Sequence, residues 1–183
     1  MFEKITIPTF LTWSRVFLIP IFVGIFYLPN SMLTIQYKNL IAFLIFSFAA
    51  ITDYLDGYLA RKLKQESRFG AFLDPVADKA IVAASLVILV GLDRTFVFAA
   101  IVIIIREIAI SALREWMAGI GHISHVAVAY IGKIKTVLQF VAIALLLLDW
   151  HTNFIGNIFM LLAVVFTVIS MFYYLEQAKK HFA

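Results

Sequence analysis

Cysteine is absent from the chain, which excludes a disulfide framework and any thiolate metal site. Charge is scarce as well: 14% of the 183 residues are Asp, Glu, Lys or Arg, against about a quarter in a soluble domain. The opening residues place Glu3 and Lys4 ahead of a long apolar run that lacks a small-residue cleavage site. That start reads as a retained first span rather than a removed signal peptide. No internal repeat is visible, and a net charge of +4 is too modest to indicate a nucleic-acid partner. What remains is apolar, with 63% hydrophobic residues and a mean hydropathy of +0.99. Several runs approach or exceed the ~20 residues that cross a bilayer. The composition describes an integral membrane protein.

Polar breaks divide the chain into six predicted spans: Phe10–Leu28, Asn39–Tyr58, Gly70–Gly91, Phe96–Met117, Lys133–Leu148 and Phe154–Leu175. Pro20 should bend the first. The expected fold class is all-α, a polytopic membrane protein with six transmembrane helices in a single domain over residues 1–183. Lys4, the Arg61–Arg68 cluster, Arg114, Lys133, Lys135, Lys179 and Lys180 collect on one side of these spans, and only Lys38 and Arg94 on the other. Basic loops stay in the cytoplasm. Both termini are therefore expected there, and so is the active site between the helices.

The stretch from Asp53 to Asp78 is the chemical centre of the sequence. Asp53 and Asp56 are three residues apart, Asp74 and Asp78 four apart, and either spacing puts a pair on one helix face. Facing each other, such pairs make an all-oxygen cage for a hard divalent cation such as Mg²⁺. Gly57 lets a ligand approach the backbone, and Arg61 offers a planar fork to phosphate oxygens. Thirteen residues separate Leu40 from Asp53, and thirteen separate Asp78 from Gly91, so each carboxylate is expected roughly 20 Å from the outer face. Carboxylates at that depth need cations or a wet cavity, and a proton or cation pathway is the competing reading.

Asp53, Asp56, Gly57, Ala60, Arg61, Gly70, Asp74 and Asp78 fill the pattern Asp-x2-Asp-Gly-x2-Ala-Arg-x8-Gly-x3-Asp-x3-Asp without a gap. The stretch resembles the CDP-alcohol phosphotransferase family. That resemblance implies transfer of a phosphatidyl group from a CDP-linked lipid to an alcohol, with CMP leaving. It implies two divalent cations, Mg²⁺ or Mn²⁺, held by Asp53, Asp56, Asp74 and Asp78, and Asp78 as the base that takes the alcohol's proton. By the same resemblance Thr12, Gly57, Ala60, Arg61, Ser67 and Gly70 bind the donor, CDP-diacylglycerol. It implies a homodimer in the bacterial inner membrane too.

The remaining charges bear on the acceptor. Arg106 interrupts span 4 about 15 Å deep. Glu107, Ser111 and Arg114 follow at helical spacing, and span 5 opens with Lys133 and Lys135, with Gln139 one turn on. Arg106, Arg114, Lys133 and Lys135 form a cationic set suited to an acceptor that carries a phosphate; the plainer alternative has Arg114 and the lysines snorkelling to the interface as orientation signals. The segments IREIAISALREW, HVAVAYIGKIKTVLQ and IPTFLTWSRVFLIP are similar to those family members whose acceptor is glycerol 3-phosphate. On that likeness Arg15 joins the acceptor-phosphate set and phosphatidylglycerol phosphate is the product. Thr9 departs from the pattern, standing where many relatives have Asn. Other acceptors (inositol phosphate, serine) and a small cation transporter remain the competing functions. His122 and His125 have no ligand-like partners. Trp13, Trp116 and Trp150 read as interfacial anchors.

Overall fold

The computed structural model describes residues 7–63, 68–119 and 130–179. Among them are six helices and no strand: α1 (Ile7–Tyr27), α2 (Ile35–Leu63), α3 (Arg68–Gly91), α4 (Val97–Gly119), α5 (Tyr130–Leu148) and α6 (Asn153–Lys179). The all-helical expectation holds, with each helix at its predicted place in the chain. Several boundaries move outward. α2 begins at Ile35 rather than Asn39 and runs on to Leu63, α5 starts three residues ahead of Lys133, and α6 continues to Lys179. Pro75 stands inside α3, which begins at Arg68. Ser67, His122 and His125 lie outside the described residues.

Two stretches, Ile35–Asp53 and Asn153–Glu176, are long and apolar enough to cross a membrane. Each helix also turns large apolar side chains outward. Phe17, Phe48, Val87, Ile108, Val137 and Phe172, one per helix, are half or more exposed. Apolar surface of that extent is unusual in a water-soluble monomer.

The chain divides into two compact units. The first spans Met1–Ile88 with Leu147–Asp149, the second Leu89–Leu146 with Trp150–Ala183. In the first, α1 and α2 run antiparallel. Lys38 donates to the Leu28 carbonyl and to Asn30 Oδ1 (2.9 Å) beside the turn between them, while Arg15 meets Asp53 at their far ends. Lys38 thereby places a buried cation at the C-terminal end of α1, where exposed carbonyls and the helix dipole favour positive charge. The buried side of α2 reads Asn39, Ala42, Phe46, Ala49 and Thr52, a helical spacing whose two alanines let neighbouring backbones approach.

The second unit is built on coiled-coil-like spacing. Buried positions fall at Ala99, Ile103, Arg106 and Ile110 on α4, at Lys135, Gln139, Ala142 and Leu146 on α5, and at Gly156, Met160, Ala163, Thr167, Ser170 and Tyr174 on α6. Steps of three and four residues keep each series on one seam. Asn157 of α6 donates to the Arg94 carbonyl just ahead of α4 (2.9 Å), and Arg114 of α4 reaches Tyr174 of α6 at the other end. These two helices are therefore parallel. On α5 and α6 the seam is apolar towards one end and polar towards the other, while on α4 Arg106 stands among apolar residues. A Ramachandran exception marks the end of α3. Asp93 takes a left-handed φ of 55° so that the Arg94 and Asp93 amides can return to the Leu89 and Val90 carbonyls (2.9 and 3.0 Å), a Schellman closure.

Candidate active site

The first unit brings one cation to two carboxylates. Arg15, on the first half of α1, is one of the largest fully buried side chains, and Thr12, one turn before it, is buried as well. Arg15 Nη1 donates to Asp53 Oδ1 at 2.9 Å and makes a short ion pair with Asp78 Oδ1. The charges are unequally shielded: the arginine is 1% exposed, the carboxylates 47% and 39%. So the positive charge is sunk in the protein and the two negative ones open outward. Asp56 and Asp74 stand one turn away along the same two helices. Their side chains, like those of Ala60 and Arg61, lie outside the described residues, as do the surroundings of Gly57 and Gly70. Among the described residues no three His, Cys, Asp or Glu side chains gather. The part that is described fits a hard cation, because oxygens from α2 and α3 already converge on a single positive centre.

The second unit holds a cluster with more positive than negative charge. Glu107 Oε1 accepts a short ion pair from Lys135, and Arg106 Nη1 lies 3.5 Å from the same oxygen. Arg106 Nη2 donates to Ser170 Oγ (3.1 Å), and Arg114 Nη2 donates to the Tyr174 hydroxyl (3.1 Å). Both guanidinium groups also lie over the Tyr174 ring, Arg106 5.7 Å and Arg114 5.2 Å from its centre, within cation–π range. Arg106 and Lys135 share the Glu107 carboxylate, and Arg114 stands on Tyr174. Arg106 and Lys135 are buried, Arg114 is exposed, and Lys133 points out from the start of α5. Arg106 Nε, Gln139 Oε1 and Thr167 Oγ1 are buried there without a hydrogen-bond partner. Excess positive charge and the unused Arg106 Nε–H donor are what a bound anion would satisfy.

The sequence model of the CDP-alcohol phosphatidyltransferases matches residues 5–169. The chain belongs to that family. Individual family members are close in sequence. A protein of Haemophilus influenzae named CDP-diacylglycerol–glycerol-3-phosphate 3-phosphatidyltransferase is 50% identical over 96% of this chain and 95% of its own length. Proteins of the same name from Escherichia coli and Salmonella typhimurium are 47% identical, with 96% of each chain covered.

Within this phosphatidyltransferase the sequence-predicted residues separate into two groups. Arg15 is found on Asp53 and Asp78, whereas sequence reading grouped it with the acceptor cations. Arg106, Arg114 and Lys135 share one cluster in the second unit, and Lys133 is exposed beside its start. Three members of that cluster were given no role from the sequence: Glu107, which ties Lys135 to Arg106, and Ser170 and Tyr174 of α6. A signal for the last two existed. Thr167, Ser170 and Tyr174 put polar atoms at three- and four-residue steps in an otherwise apolar helix.

Proposed function

We propose that this chain makes phosphatidylglycerol phosphate, transferring the phosphatidyl group of CDP-diacylglycerol to glycerol 3-phosphate and releasing CMP. It acts, on this reading, as a phosphatidylglycerophosphate synthase of the bacterial inner membrane. The observation that carries it is near-complete alignment, at 47–50% identity, with proteins named for this reaction. The excess charge around Arg106, Arg114 and Lys135 supports a phosphate-bearing acceptor, with Lys133 at its rim. A neutral alcohol would have no use for it.

In this proposal a hydroxyl of glycerol 3-phosphate attacks the phosphorus that bears diacylglycerol, and the bond from that phosphorus to CMP breaks. Asp78 takes the hydroxyl's proton. The proton moves to it as the new phosphorus–oxygen bond forms. Thr12, Gly57, Ala60, Arg61, Ser67 and Gly70 hold the donor. Asp53, Asp56, Asp74 and Asp78 would hold divalent cations, Mg²⁺ or Mn²⁺, which when bound neutralise charge on phosphate oxygens. The six helices span the membrane with both termini in the cytoplasm, and two copies associate. The orientation draws support from Lys38 and Arg94, the two basic residues against the trend. Both are buried, Lys38 at the C-terminal end of α1 and Arg94 reaching the Leu146 carbonyl near the end of α5 (3.4 Å). They serve helix ends, which leaves the remaining bias to report topology.

The test is CMP release by purified protein in detergent with CDP-diacylglycerol. Release should require both glycerol 3-phosphate and a divalent cation, and Asp53→Asn should lower it at least about a hundredfold. Release that persists in chelator, or that proceeds equally with serine or inositol phosphate, would overturn the proposal. So would cation flux into sealed vesicles without any CMP.

A further inference from the structure

Arg106 and Arg114 stand eight residues apart on α4, about 12 Å along its axis. Left to themselves, two guanidinium groups on one helix repel and spread. Here both lie within 5.7 Å of a single point, the centre of the Tyr174 ring. That ring is 1% exposed, and its hydroxyl accepts the hydrogen bond from Arg114 Nη2 at 3.1 Å. One turn earlier on α6, Ser170 accepts from Arg106 Nη2 at 3.1 Å. Meanwhile Arg106 Nε is buried with no partner. A buried guanidinium that leaves a donor unused is costly unless something else takes it. The electron-rich face of the ring offsets part of the repulsion, and the hydroxyl orients the outer arginine.

We infer that Tyr174 is a positioning residue for acceptor recognition: it gathers Arg106 and Arg114 so that both address one phosphate group. The inference rests on the proposed function, in which this cluster binds the phosphate of glycerol 3-phosphate. Tyr174 does not touch the reacting atoms. Its effect passes through the arginines and falls on acceptor affinity rather than turnover.

Two substitutions separate its two contacts. Tyr174→Phe keeps ring and volume and removes only the acceptor for Arg114. Tyr174→Leu removes the π face as well. Steady-state kinetics with each substrate varied in turn should show the KM for glycerol 3-phosphate rising about threefold in Tyr174→Phe and at least about tenfold in Tyr174→Leu. The kcat and the KM for CDP-diacylglycerol should stay within about twofold of wild type. Inorganic phosphate, used as a competitive inhibitor, should weaken in parallel with the acceptor. A fall in kcat with the acceptor KM unchanged, or an equal rise in both KM values, makes Tyr174 a packing residue and overturns the inference. Should Tyr174→Leu not fold in detergent, Tyr174→Phe alone decides. Arg114→Ala, measured alongside, distinguishes the two levels. An unchanged acceptor KM in Arg114→Ala refutes the acceptor-phosphate reading itself. A raised KM there, with both Tyr174 variants behaving as wild type, refutes only the positioning role.

Discussion

Arg15 neutralises at most one of the two carboxylates it touches, and does so from a buried position. Replacing it with Gln removes the positive charge that Asp53 and Asp78 share. Each charge-assisted hydrogen bond is worth about 1.5–3 kcal/mol. Arg15→Gln should therefore lower the melting temperature in chelator by about 5 °C, taking roughly 2–4 °C per kcal/mol at this chain length. The loss should shrink when Mg²⁺ is supplied, since the same carboxylates would then have another cation. An equal loss with and without Mg²⁺ would show that Arg15 is not their principal counter-ion. Spacing singled out Asp53 and Asp78, which meet on Arg15, while the side chains of Asp56 and Asp74 lie outside the described residues. The partner of Arg15 was not legible in the sequence. Spacing along one helix says which residues share its face, and nothing about which neighbouring helix that face meets. Glu107 stayed hidden for a similar reason: one acid beside one arginine reads as a local pair until Lys135 arrives from another helix.

At the scale of the helices, several polar residues outside the two clusters close helix ends. Arg94 and Thr152 close the end of α5 by donating to the Leu146 and Leu145 carbonyls (3.4 and 2.7 Å). Asp93 closes α3, and Lys38 closes α1. Beside the end of α5, α6 begins so close that a methyl group on Gly156 would lie 2.8 Å from Leu146 Cγ and Cδ2. Leu146 is fully buried and has little room to yield. Gly156→Ala should thus destabilise the protein by about 1–3 kcal/mol, the usual penalty of overpacking, read as a lowered melting temperature with kinetic constants little changed. A variant as stable as wild type would mean that α5 and α6 do not approach this closely. Helix order and the turns were legible from apolar runs and polar breaks. The first turns of α2 and α5 were not. Lys38 falls outside the span predicted from Asn39, yet it is buried within α2, and the helix predicted from Lys133 has already begun at Tyr130. The start of α2 at Ile35 also lengthens the path to Asp53, so a depth counted from Leu40 depends on where the bilayer meets that first turn.

For the molecule as a whole, each unit carries one charged cluster. The first unit holds Arg15, Asp53 and Asp78, and the second Arg106, Glu107, Arg114, Lys135 and Tyr174. One cluster is rich in carboxylates, the other in cations, and the proposed reaction asks for both: a centre for a pyrophosphate donor and a grip for a phosphate-bearing acceptor. The division of labour is the central claim, and acceptor discrimination tests it most directly. The quantity to measure is kcat/KM for glycerol 3-phosphate divided by kcat/KM for glycerol, in the wild type and in Arg114→Ala and Lys135→Ala. Removing one charge from a phosphate grip should raise the KM for glycerol 3-phosphate at least about tenfold, equivalent to roughly 1.4 kcal/mol, and leave glycerol and CDP-diacylglycerol nearly unaffected. The discrimination ratio should fall by that factor in each variant. A wild-type enzyme that uses glycerol as well as glycerol 3-phosphate, or variants in which the ratio does not move, would contradict the account.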